Sequence, residues 1–216
     1  VDAAKVIAWD FPGAPNPRDY SVKQLAERGP WTVVYAGSMQ YAKGLADLIR
    51  AVWLLRQEKV AVKLVAFGDG PNMEELRMLA GSLCPRDVLF LGSLPNNDVF
   101  KAMRGSAIVC VPSRHEFPEA MPLVLTEALA SRTPVVVSDH PVMKSALASG
   151  EGVLFFESRN PANLAYVLRK ILSDAELYEH LSQSTAAAFA RLECRTYFGD
   201  VLRDWKLHSV PTRSAA

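Results

Sequence analysis

The sequence predicts an α/β fold: a three-layer α/β/α domain on a parallel sheet of about six strands. Three observations carry this. Six short apolar runs alternate with segments whose apolar residues recur at helical spacing. The runs are apolar throughout rather than alternating, as strands covered on both faces are. Loops containing glycine and proline follow the strands at their carboxyl ends, the edge where open parallel sheets bind ligands.

Taken in order, residues 1–30 carry Pro12, Pro15, Pro17 and Pro30 among polar groups. They are expected to form a linker with one short helix at Ser21–Arg28. The first strand is Trp31–Ala36. A helix over Lys43–Gln57 follows, with Leu45, Leu48, Ile49, Val52 and Leu55 on one face. Strand Val62–Phe67 leads to a helix over Asn72–Ala80, and strand Val88–Leu91 to one over Asn97–Met103. Strand Ile108–Val111 leads to a helix in which Pro122 suits the first turn, where its missing N–H costs nothing. Strand Val135–Ser138 precedes a short helix at Met143–Ala148. Strand Val153–Phe156 precedes a helix over Pro161–Leu172, for which Asn160 is the expected cap. Residues 31–173 thus form the sheet domain and 174–208 the terminal helices, about Ala175–Arg191 and Arg195–Leu207. Residues 209–216 read as a tail.

Composition narrows the function. The 216 residues are enough for one α/β unit with a proper core. A net charge of +1 gives no pull toward nucleic acid or acidic partners. Cys84, Cys110 and Cys194 are odd in number and widely spaced, so they form neither a disulfide framework nor a metal-ligand set. No metal site is expected. No apolar run is long enough to span a membrane, and no signal-peptide pattern is present. The first residue, Val1, suggests an excised domain or a processed piece of a longer protein.

The chemistry concentrates at four loops. Glu119 lies in the loop after the fourth strand, and Glu127 lies eight positions on, inside the following helix. The loop carboxylate, the helix-start N–H groups and Glu127 can border one crevice that holds an anion and offers carboxylates to hydroxyls. A phosphate-bearing sugar has both chemistries. Gly37 and Gly44 permit a tight loop after the first strand, and Lys43 adds a point charge there, a pairing suited to a diphosphate. Gly68-Asp-Gly-Pro71 reads as a tight turn in which Asp69 bonds its own backbone.

These segments together resemble a family. Glu119 and Glu127 match the Glu-x7-Glu motif of the retaining glycosyltransferases of family 4 (group 1), which have the GT-B fold of two Rossmann-like domains. Tyr35-Ala-Gly37-Ser-Met-Gln-Tyr-Ala-Lys43-Gly44 looks like the family's Gly-Arg-x-x-x-x-Lys-Gly loop. Ala66-Phe-Gly68-Asp-Gly70-Pro71, Phe90-Leu-Gly92-Ser-Leu-Pro95 and Thr133-Pro-Val-Val-Val-Ser138 resemble its other signatures, in the same order.

The resemblance implies one Rossmann-like half of a GT-B fold, the C-terminal half that binds a nucleoside diphosphate sugar such as a UDP or GDP sugar. It implies that Glu119 holds the donor sugar and Glu127 the ribose. Lys43, Ser38, Gly37 and the N–H groups of Ala120 and Met121, just before Pro122, meet the diphosphate. Gly68 borders the cleft, and Leu94 lies under the base. Glu119 and Lys43 are the residues expected to act in catalysis. No cofactor or metal is expected. An N-terminal acceptor-binding domain is the expected partner, and through it a peripheral membrane contact; the implied location is cytoplasmic, at the inner face of the membrane. Ser38 departs from the family's arginine, so one full charge is missing. Met121 replaces a common phenylalanine. The active-site histidine of the family belongs to the other domain, and His115 takes an exposed or structural role. The alternatives are a non-catalytic nucleotide-sugar binding module and a sugar-nucleotide epimerase of the GT-B fold. A dinucleotide oxidoreductase would need Gly-x-Gly-x-x-Gly after the first strand, which Gly37–Gly44 lacks.

Overall fold

A computed structural model describes residues 15–192 and 198–209, with side chains described for 199–205 of the last segment. Six strands form one sheet: β1 (Trp31–Ala36), β2 (Val62–Phe67), β3 (Val88–Gly92), β4 (Ile108–Val111), β5 (Val135–Ser138) and β6 (Val153–Phe156). Their order is β3-β2-β1-β4-β5-β6, and every adjacent pair is parallel. The register runs Val33 to Leu64 on one side of β1 and Val33 to Ile108 on the other. The chain starts in the middle, builds outward to β3, then returns to the other side of β1. The direction of winding reverses between β1 and β4, which opens a crevice at the carboxyl ends of those two strands.

The described residues include eight helices: α1 (Leu45–Gln57), α2 (Met73–Ala80), α3 (Asn96–Gly105), α4 (Leu123–Ala130), α5 (Pro141–Ala146), α6 (Pro161–Leu172), α7 (Ala175–Leu192) and α8 (Phe198–Ser209). On one face α1, α2 and α6 pack against Val33, Tyr35, Leu64 and Ile108. On the other, α3, α4 and the end of α7 pack against Val34, Val109, Val111 and Val135. Adjacent strand residues thus feed opposite cores, which explains why β4 and β5 are buried at every position. The architecture is the expected three-layer, Rossmann-like α/β/α sandwich.

Several details differ from the sequence expectation. Residues 21–28 form no helix; a short 3-10 turn spans Pro17–Asp19 instead, capped by the Asn16 side chain. The extended run after it bonds to the domain rather than to itself. The Lys23 N–H donates to Ser182 Oγ at 2.8 Å, and its ammonium donates to Thr133 Oγ1 at 3.0 Å and to the Ser106 carbonyl. Arg104 donates to Ser21, and Leu25 packs on the core.

Lys43 is not in the helix that follows β1. It ends a 3-10 turn (Tyr41–Lys43), and Gly44, at φ 76°, separates that turn from α1. Pro122 is the residue before α4, with extended backbone (ψ 126°), rather than part of its first turn. The residue ahead of Leu123 has to redirect the chain out of the loop, and proline's fixed φ serves that turn. Asn160 does cap α6, its side chain accepting from the Asn163 N–H at 2.9 Å. Cys194, Arg195 and the tail beyond Ser209 lie outside the described residues. So does the side chain of Phe198; in the same helix Leu202 and Trp205 are exposed.

Candidate functional site

The loops after β1 and β4 meet across the crevice. A Cβ on Gly44 would lie 1.9 Å from the Pro112 carbonyl oxygen, so backbone touches backbone there and only glycine fits. The Arg114 N–H donates to the Ala42 carbonyl at 2.8 Å, a second tie between the same loops. Tyr35 rises from β1 beneath them and donates its hydroxyl to the Ser38 carbonyl at 2.7 Å. Burial, and then the charge of Glu119, push the Tyr35 phenol well above its usual range, so it stays a donor.

Lys43 and Glu119 face each other in this frame. The ammonium donates to both carboxylate oxygens, at 2.9 Å and 2.7 Å. The Glu119 side chain is 4% exposed and that of Lys43 19%. The ammonium also stands 4.1 Å from the centre of the Phe117 ring, whose face attracts a cation. Two residues 76 positions apart in sequence are thus joined at one rim.

Next to this pair, a cleft of about 400 Å³ opens over the strand ends, lined by Gly37, Ser38, Gly68, Leu94, Val124 and Glu127. Gly68, at φ 119°, is held against Gly37: a Cβ there would fall 2.0 Å from the Gly37 carbonyl oxygen. Gly70 closes on Met39 in the same way, and the Gly70 N–H donates to Asp69 Oδ1 at 2.7 Å. The two glycine loops therefore form one floor. Glu127 is half-buried among the apolar residues of α4, and burial raises its carboxyl above the usual range. The N–H groups of Ala120 and Met121 have no acceptor among the described residues and precede the first turn of α4. The cleft with Glu127, together with the neighbouring Lys43–Glu119 pair and peptide N–H groups, offers partners for an anion and for hydroxyls.

All the residues picked from sequence lie at this edge of the sheet. Gly37, Ser38, Gly68, Leu94 and Glu127 share the cleft, and Lys43 and Glu119 share the ion pair. A larger concavity, about 810 Å³, lies over α1 and the start of α6, lined by residues such as Trp53, Leu79 and Pro161. None of the sequence-predicted residues borders it. The other charged residues near Glu119 are spoken for. Glu116 pairs with Arg159, and His115 Nε2 is 2.8 Å from Asp139 Oδ1. Arg114 does not turn toward the cleft residues: its Nε and Nη2 each lie 2.8 Å from an oxygen of Asp47. Phe117 and Asp47 carry no motif, and sequence reading passed over both; an acid inside the apolar first turn of α1 was the one available sign. Among the described residues no group of three His, Cys, Asp or Glu side chains has metal-binding proximity. None of the described helices is long and apolar enough to cross a membrane.

Comparison with known proteins decides the family: the sequence description "Glycosyl transferases group 1" matches residues 18–187. The chain belongs to this glycosyltransferase family. Its relatives include the glycogen synthase of Mycobacterium tuberculosis, 29% identical over 175 residues, covering 81% of this chain and 38% of that protein. Anabaena Alr3699/HepE, in a crystal structure with UDP and glucose, superposes with a TM-score of 0.68 at 18% identity, over 83% of this chain and 48% of that one. The C-terminal domain of LpcC, a group 1 family protein from Francisella tularensis, superposes with a TM-score of 0.67 at 19% identity, over 82% of this chain and 97% of that domain. These likenesses make this a GT-B type, group 1 glycosyltransferase domain. The chain spans less than half the length of the curated relatives it matches.

Proposed function

We propose that this glycosyltransferase domain is the C-terminal, donor-binding half of a retaining enzyme, and that a nucleoside diphosphate sugar occupies the cleft at the β1–β4 crevice. The observation that carries the reading is the Lys43–Glu119 pair beside a cleft that also contains Glu127. Support comes from Alr3699/HepE, whose matching fold is described with UDP and glucose, and from the LpcC domain, which this chain covers almost entirely.

In this reading Glu127 accepts hydrogen bonds from the ribose hydroxyls and Leu94 packs under the base. The diphosphate lies between Lys43, the Ser38 hydroxyl and the N–H groups of Ala120 and Met121. Glu119 accepts from hydroxyls of the sugar. As the anomeric carbon–oxygen bond breaks, negative charge grows on the leaving diphosphate and positive charge on the sugar ring. Lys43 and the peptide N–H groups are fixed where the negative charge develops, so they stabilise the transition state more than the ground state. Glu119 orients the ring so that an acceptor hydroxyl attacks from the face the diphosphate leaves, passing its proton to the departing phosphate oxygen, giving retention. The reading assigns leaving-group charge to the protein's own donors, without a metal ion. The second domain completes the cleft and supplies the acceptor.

The test is thermal melting with UDP, GDP, ADP and their sugar conjugates. A nucleotide at about 100 times its Kd adds roughly 2.7 kcal/mol of stability, which raises Tm by about 5–10 °C in a domain of this size. Lys43→Ala and Glu127→Gln should each lose most of that rise. A wild-type protein that responds to none of these compounds contradicts the reading. In the enzyme joined to its acceptor domain, Glu119→Ala with intact turnover would instead favour a binding module.

A further inference from the structure

Arg114 and Asp47 are the least expected feature beside the cleft. The guanidinium meets the carboxylate through two parallel contacts of 2.8 Å, a bidentate geometry that fixes direction as well as distance. The Asp47 side chain is 3% exposed and that of Arg114 15%. A buried charge pair of this kind offers modest net stability, and its better-attested use is to fix register. Its position shows which register. Asp47 lies in the first turn of α1, three residues after Gly44, on the element that begins where the Lys43 turn ends. Arg114 lies two residues after Pro112, at the start of the loop that carries Phe117 and Glu119. Arg50 also reaches Asp47 Oδ1, at 3.3 Å, from the next turn of α1. The pair therefore spans the crevice alongside the Gly44–Pro112 contact and the bond from the Arg114 N–H to the Ala42 carbonyl.

We propose that Arg114 and Asp47 are positioning residues: their paired side chains lock the Lys43 turn to the Glu119 loop and so set the spacing between the diphosphate and sugar subsites. The inference rests on the donor-site reading above. It gives Arg114 no contact with substrate. The main chain alone would leave two loops joined by one hydrogen bond and one glycine contact, free to slide along the crevice. The fork stops that sliding, because moving either loop parts two charge-assisted bonds at once. A lysine at 114 keeps the charge but lacks the fork.

The experiment measures Kd for UDP, GDP and ADP by calorimetry, with Tm alongside, in wild type, Arg114→Lys, Lys43→Ala and the double variant. For the nucleotide that wild type binds, Arg114→Lys should weaken binding about tenfold, and clearly less in the Lys43→Ala background, because coupled residues are not additive. A merely structural role would lower Tm and leave Kd alone. A Kd for Arg114→Lys within about twofold of wild type, or the whole loss persisting without Lys43, overturns the proposal. If Arg114→Lys fails to fold, Asp47→Asn, which keeps side-chain shape and one acceptor oxygen, is read by the same criteria. Wild type that binds none of the three nucleotides overturns the donor-site reading and this one with it. Wild-type binding with an unmoved Arg114→Lys overturns the positioning role alone.

Discussion

Glu119→Gln should tighten the binding of a bare nucleoside diphosphate. A diphosphate that takes Lys43 has to part it from Glu119, so the carboxylate competes with the ligand for the same ammonium. At 2.7 Å, with an effective dielectric constant of about 20, the gross attraction in the pair is roughly 6 kcal/mol. Desolvation offsets most of that, since the Glu119 side chain is 4% exposed and that of Lys43 19%, leaving a net of about 1–2 kcal/mol. Glutamine keeps the shape and an acceptor oxygen but removes the charge. UDP, or whichever of GDP and ADP the melting panel selects, should then bind about 5- to 30-fold tighter. The sugar conjugate should gain less, because sugar hydroxyls donate more strongly to a carboxylate than to an amide. Calorimetry at constant ionic strength measures both affinities. If Glu119→Gln weakens the bare nucleotide or leaves it unchanged, Glu119 and the diphosphate do not share Lys43, and the geometry proposed for the site is wrong.

Two further outcomes follow from packing and charge. Burial, and then the nearby charge of Arg104, push Lys23 down to about 7 from 10.5. The unfolded chain then binds more protons between those values, so stability should rise with pH from about 7 toward 10, with an upper bound of roughly 5 kcal/mol. Lys23→Met should flatten that slope, as read by urea unfolding at several pH values. Gly44→Ala should cost roughly 3 kcal/mol or more, since it puts Cβ into the Pro112 carbonyl at a φ of 76°. Thermal melting followed by circular dichroism should show Tm lowered by about 10 °C.

The sheet was legible because strands covered on both faces are written as uninterrupted apolar runs; β5 and β6 end at the residues expected. The site glycines were legible for a related reason, since backbone contacts such as Gly68 on Gly37 admit no side chain. Short-range logic failed where tertiary contacts overrode it. Residues 21–28 have turn and helix signals of their own, yet Lys23 and Ser21 find partners on α3, α7 and the strand ends. Pro122 fits a first turn by propensity, but it serves the bend ahead of α4, which begins one residue later at Leu123. The Arg114–Asp47 fork was invisible because its partners stand 67 positions apart and neither lies in a recognisable pattern. Lys43 and Glu119 are as distant, but each was flagged separately by its own motif.

The strap formed by residues 17–25 has a mechanical meaning. Tyr20 stacks at a tilt against Phe100, Arg132 donates to the Tyr20 carbonyl, and Lys23 bonds to groups preceding β4, β5 and within α7. Polypeptide arriving at this domain is thus gripped on the far side of the strap before it reaches β1. A pull on the chain at Pro17 would therefore load these side-chain bonds first, and β1 only after they part.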